Sequence, residues 1–99
     1  MNVKINSVKI NSNEALENYI NEKVKKLQQV NDRITNIEVI LKTENTQDGN
    51  NKIVEIKVEL PGGEFFASKQ SETFKDSVDQ AVDAIRKQIQ RHKEKLRGL

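Results

Sequence analysis

KIVEIKVEL, residues Lys52 to Leu60, sets Val54, Ile56, Val58 and Leu60 on one side of an extended chain and Glu55, Lys57 and Glu59 on the other. A period of two with one apolar and one charged face marks a strand that covers a core on one side and meets water on the other. Pro61-Gly62-Gly63 comes next. It predicts a chain reversal between two strands, because Pro presets the first corner of a turn and Gly tolerates the second. EFFAS, 64–68, returns as a strand with Phe65 and Ala67 toward the core. Upstream, the polar stretch NTQDGNN, 45–51, has the composition of a turn. Before it, NIEVILKTE, 36–44, places Ile37, Val39 and Leu41 on one face. Three successive strands joined by hairpins predict an antiparallel meander.

Two helices complete the pattern. NVKINS, 2–7, alternates Val3 and Ile5 with Asn2, Lys4 and Asn6 as a first strand. Ser12-Asn13 then offers an N-cap, and Leu16, Ile20, Val24 and Leu27 repeat at helical spacing up to about Val30-Asn31. Thr73 caps a last helix, with Asp76 in the place of a capping-box acid. Its apolar stripe runs through Phe74, Val78, Ala81, Val82, Ile85, Ile89 and Leu96. The order β-α-β-β-β-α makes the first two strands parallel through a right-handed crossover. The expected fold is α+β: a four-stranded mixed sheet with two helices packed on one face. Lys4, Glu38, Lys42, Glu55, Lys57 and Glu59 fall on the other face, which is expected to be solvated.

Ninety-nine residues with 34% apolar content fit one domain, 1–99, with a thin core. No apolar run approaches the roughly 20 residues that span a membrane, and the N-terminus lacks a signal-peptide pattern. Cysteine is absent, which removes thiol chemistry and suits a cytoplasmic protein. With one histidine, His92, no transition-metal site is expected. The Gly62-Gly63 pair joins two strands and precedes no helix, so it reads as a turn rather than a phosphate loop. No Asp/Glu pair is marked as an acid–base couple, and no catalytic residue or cofactor is assigned.

The charge distribution carries the functional signal. RKQIQRHKEKLRGL, 86–99, holds six of the 17 Lys and Arg but one of the 15 acids, so it carries +5 and the remainder −3. On a helical wheel, Lys87, Arg91 and Lys95 form one basic ridge, and Lys75, Arg86, Lys93 and Arg97 form another on the opposite edge of the stripe. Asp76, Asp79, Asp83 and Glu94 fall on the outward back. The helix dipole favours cations only in the last turn, yet Arg86 and Lys87 lie about three turns from the end. Two readings stand at this point: a solvated helix end, or a surface for a polyanion. The helix, at about 36 Å, outruns strands of roughly 20–24 Å. Its last two turns, with Arg91, His92, Lys93 and Lys95, are therefore expected to overhang the sheet. Lys23 falls on the first helix's apolar stripe, either snorkelling to the edge or framing a groove with Lys26, Lys87 and Arg91.

Several stretches in order resemble the bacterial ribosome hibernation-promoting factors, a group that includes the ribosome-associated inhibitor and the sigma-54 modulation proteins. NEALENYINEKVKKL is similar to the family's first helix, with Lys23, Lys26 and Leu27 at its Lys-x-x-Lys-Leu ending. NDRI with Arg33, VILK into Lys42, GGEFFAS from Gly62 to Ser68, and RKQIQRHKEKL from Arg86 complete the match over essentially the whole length. Ala84 and Lys75 depart from the family pattern and take no role from it. The resemblance implies a fold like the double-stranded-RNA-binding domains. It also implies a short-form factor that sits on ribosomal RNA of the small subunit, where messenger and transfer RNA lie, and idles ribosomes under stress or in stationary phase. Carried over as RNA contacts are Lys23, Lys26, Lys87, Arg91, His92, Lys93 and Lys95, and the wheel adds Arg86. The expected partner is the small ribosomal subunit and its RNA, with no membrane or DNA partner and a monomer off the ribosome. Two other readings are a general structured-RNA module and a protein-interaction regulator of transcription. The second needs an exposed apolar patch, which the pattern does not show.

Overall fold

The computed structural model describes residues 2–96; Arg97 and the side chain of Leu96, which the helical spacing assigns to the last helix, lie outside the described residues. The elements run β1 (Asn2–Ser7), α1 (Glu14–Val30), β2 (Asn36–Thr43), β3 (Lys52–Leu60), β4 (Gly63–Ser71) and α2 (Phe74–Leu96). They build one sheet in the order β1-β2-β3-β4, with β1 parallel to β2 and both later pairs antiparallel. This is the α+β arrangement that the alternating strands and helical stripes predict.

Register explains the two faces. Val3, Ile37, Val58 and Phe65 form one row across the sheet, and Ile5, Val39, Ile56 and Ala67 form the next. Both helices cover these rows, burying Ile20, Val24 and Leu27 of α1 with Val78, Ala81, Ile85 and Ile89 of α2. Each fully buried aliphatic side chain contributes about 1.5–3 kcal/mol against the conformational entropy lost on folding. On the opposite face Lys4, Glu38, Lys57 and Phe66 share a row. Opposite charges neighbour each other there, as in Lys42–Glu55 at 3.1 Å.

Local signals act as read. The Leu16 amide donates to Asn13 Oδ1 at 2.8 Å, and the Asp76 amide to Thr73 Oγ1 at 3.1 Å, so each helix has a side-chain N-cap. Gly62, at φ +86°, follows Pro61 in the two-residue β3–β4 turn, a left-handed corner that suits glycine. Buried Ser77 donates to the Lys52 carbonyl at 2.7 Å and shares a hydrogen bond with Ser71, tying the start of α2 to the sheet. β4 runs to Ser71, three residues past the EFFAS pattern. Backbone pairing with Lys52–Val54 extends it where apolar alternation has ended.

Candidate nucleic-acid interface

Of the eight site residues singled out in the sequence, six line hollows on the two flanks of α2. On the α1 side, a groove of about 300 Å³ is lined by Lys23, Lys26 and Arg86 over Leu27 and Val82, with Asp79 and Asp83 among its walls. On the β4 side, a second hollow of about 340 Å³ is lined by Phe65, Gln88, Arg91, His92 and Lys95. The single groove framed by Lys23, Lys26, Lys87 and Arg91 is therefore corrected. Arg86 follows Val82 by one helical turn and so shares its α1-facing edge, whereas Arg91 and Lys95 follow Gln88 toward β4. Lys87 lies outside both linings and is 62% exposed.

Asp79 and Asp83 do not lie on the outward back of α2. Asp79 Oδ1 accepts from the Tyr19 hydroxyl at 2.6 Å and lies 3.5 Å from Lys23 Nζ. Asp83 accepts from Arg86 Nη2 at 2.8 Å and lies 3.1 Å from Lys87 Nζ. The hydrogen bond from Arg86, and after it that from Lys87, holds the Asp83 carboxyl below its usual range. The hydrogen bond to Asp79, with desolvation and the nearby acids adding to it, pushes the Tyr19 phenol up to about 12. Lys23 and Lys75 each stand 5.3 Å from the Tyr19 ring centre, within cation–π range. Lys23 thus carries its ammonium to the edge of the stripe, where it lines the groove. The sequence signal for these acids is present but weak, since each comes directly after a stripe valine, Val78 or Val82, and so borders the packed face.

The end of α2 is supported further than its length suggests. Ile89 is buried, His92 and Lys93 are half-buried, and Arg91, Glu94 and Lys95 are exposed. The His92 ring meets Phe65 edge-on, with centroids 5.6 Å apart. Lys93 donates its ammonium to the Val30 carbonyl at the end of α1. α1 has no basic residue in its own last turn, so Lys93 supplies the cation that this helix terminus favours. The expected two-turn overhang is corrected: β3 and β4 are nine residues each, about 30 Å, and α1 supports the remaining flank.

The assembled surface gathers Lys and Arg side chains on both sides of α2. Arg offers five N–H donors in a fixed fork and Lys three, which suits phosphate oxygens. Among the described residues, no group of three or more His, Asp or Glu side chains gathers as a metal ion would require. No helix of the described chain is long and apolar enough to cross a membrane. Among the described residues, the large apolar side chains left exposed are Val8 and Phe66, one just past β1 and the other on β4, at opposite edges of the sheet.

Comparison with known proteins finds relatives both in sequence and in fold. The chain is 32% identical over 99 residues to a ribosome hibernation promoting factor of Pseudomonas putida, covering all of this chain and 93% of that one. It is 31% identical over 97 residues to the Escherichia coli factor of the same name, covering 98% and 96%. Its fold matches a ribosomal subunit interface protein from Coxiella burnetii with a TM-score of 0.83 at 24% identity, covering 95% of this chain and 99% of that one. It also matches the N-terminal domain of Thermus thermophilus Protein Y with a TM-score of 0.77 at 25% identity, covering 93% and 99%. The model of one family, described as sigma 54 modulation protein / S30EA ribosomal protein, matches residues 3–97, and the chain belongs to that family.

Proposed function

We propose that this protein is a ribosome hibernation factor. It binds the small ribosomal subunit through ribosomal RNA, occupies the channel used by messenger and transfer RNA, and holds ribosomes inactive under stress or in stationary phase. The observation that carries this reading is the gathering of basic side chains on both flanks of α2 in a chain whose relatives bear the hibernation name. Lys23, Lys26, Arg86, Lys87, Arg91, His92 and Lys95 meet phosphates, and Lys93 completes the set beside them while bonded to α1. Residues 1–99 act as one ribosome-binding domain, monomeric off the ribosome and cytoplasmic. The mechanism is occlusion: phosphate contacts release counterions and hold the domain in place, and no bond is made or broken. Purified protein run with ribosomes on a sucrose gradient tests this. Co-migration with small subunits, lost when messenger and initiator transfer RNA are bound first, is the expected result. Protein that stays at the top of the gradient, or binds equally with the channel filled, overturns it.

A further inference from the structure

We propose that Asp79 and Asp83 are specificity-determining residues, which order the neighbouring cations for a rigid array of phosphates and withhold their charge from flexible polyanions. This rests on the phosphate-binding reading of the proposed function. The two flanks of α2 differ. Among the described residues, the β4-side hollow has no acid in its lining, whereas the α1-side groove sets Asp79 and Asp83 against Lys23, Lys26 and Arg86. Three of the proposed contact residues are therefore already paired: Lys23 with Asp79, and Arg86 and Lys87 with Asp83. A helix that only needed positive charge here would gain from neutral residues at both positions.

The geometry of the pairs separates two kinds of ligand. Arg86 donates to Asp83 through Nη2, which leaves other guanidinium donors for a second acceptor, and each Lys ammonium has three donors. RNA whose phosphates are fixed by its own fold meets these cations from the solvent side with the carboxylates still in place. It finds long side chains already ordered, so less rotamer freedom is lost on docking. A flexible single strand has no such fixed spacing. To gather phosphates on the groove it must draw the cations off their carboxylates, or bring its own negative charge beside Asp79 and Asp83. The acids thus weaken promiscuous binding and leave the shape-matched complex largely untouched, which is selection by an unfavourable element against the wrong ligand.

The test compares wild type with Asp83→Asn and Asp79→Asn, which keep an acceptor oxygen, and with Glu44→Gln, which removes the same charge from the exposed β2–β3 loop. Affinities for single-stranded oligouridine and for vacant small ribosomal subunits are measured at one salt concentration, and melting curves verify folding. Each Asp variant is expected to bind oligouridine roughly fivefold more tightly, the upper range for releasing an exposed ion pair, while subunit affinity stays level or falls. Glu44→Gln should leave both affinities near wild type. An equal rise for both ligands, no rise for oligouridine, or the same rise in Glu44→Gln overturns the proposal. Wild-type protein that fails to bind subunits overturns the functional reading, and this one with it; wild-type binding with an equal rise overturns this one alone.

Discussion

The Tyr19 hydroxyl donates to Asp79 at 2.6 Å, joining α1 to α2 across 60 residues of chain. The same carboxylate faces Lys23 at 3.5 Å, so one acid of α2 holds both a phenol and an ammonium of α1. The helices are thereby fixed beside each other at the groove, above the packing of Ile20, Val24 and Leu27. The groove's shape and its charge therefore depend on the same few side chains.

Tyr19 reports on that junction directly, because it is the only tyrosine and the chain has no tryptophan. Its phenol should titrate near about 12 in the folded protein, against 10.0 for an unperturbed group. A raised folded value means that the contribution to stability is complete below pH 10 and is lost as the pH climbs through about 12. Phenolate absorbance during an alkaline titration measures it. A midpoint near 10 in still-folded protein would show that the Asp79 bond does not form in solution.

Lys23→Met separates packing from charge. Methionine keeps an apolar stem against α1, and the ion pair lost is partly exposed, so stability should change by about 1 kcal/mol or less. Ribosome binding should weaken, and the slope of log affinity against log salt should flatten by roughly 0.7–0.9 if one phosphate contact is lost. Thermal melts and binding at several salt concentrations decide between these roles. Unchanged binding with an intact melt would leave Lys23 a structural residue.

Lys93 and Lys95 sit two residues apart but should behave differently. Lys93→Met removes the donor that satisfies the Val30 carbonyl, and a charged hydrogen bond of this kind is worth about 1.5–3 kcal/mol at most where water cannot replace it. It should lower the melting temperature while leaving most of the salt slope. Lys95→Met, at an exposed position, should leave melting alone and flatten the slope. Equal melting temperatures for the two variants would mean that the Val30 contact contributes nothing to the fold.

The contrast between Lys93 and Lys95 marks where the sequence is legible and where it is not. Periodicity carries local facts: the bounds of β3, both N-caps and the alternation that divides the sheet faces each depend on residues within one turn or strand. Sheet order is also legible, because a helix between two strands and two hairpin connections leave few alternatives. The partner of Lys93 is 63 residues away, and no pattern in α2 points to the end of α1. A helical wheel assigns Asp79 and Asp83 to the solvent side because it treats the helix as isolated. Tyr19 and Lys23 give Asp79 its orientation, and they become neighbours only when the helices pack. Cations are therefore legible as a set, and their pairing is not.

The basic ridge of Lys87, Arg91 and Lys95 is the part of α2 with least structural employment. Arg91 and Lys95 are exposed, and Lys87 makes an exposed pair with Asp83 at 3.1 Å. Replacing all three by Gln keeps helix propensity and length, so folding should be barely affected, as exposed charges contribute about 0–1 kcal/mol each. Binding to small subunits should fall by orders of magnitude at moderate salt. The salt slope should flatten by about 2–3 units if each residue neutralises one phosphate at roughly 0.7–0.9 per contact. His92, whose ring rests on Phe65, is left in place so that the end of the helix stays seated on β4. Melting, affinity and salt dependence are measured on the same preparation. A slope equal to that of wild type together with a collapsed melting temperature would show that the ridge holds the helix rather than RNA. A flattened slope with an unchanged melt ties the charge of this helix end to phosphate binding.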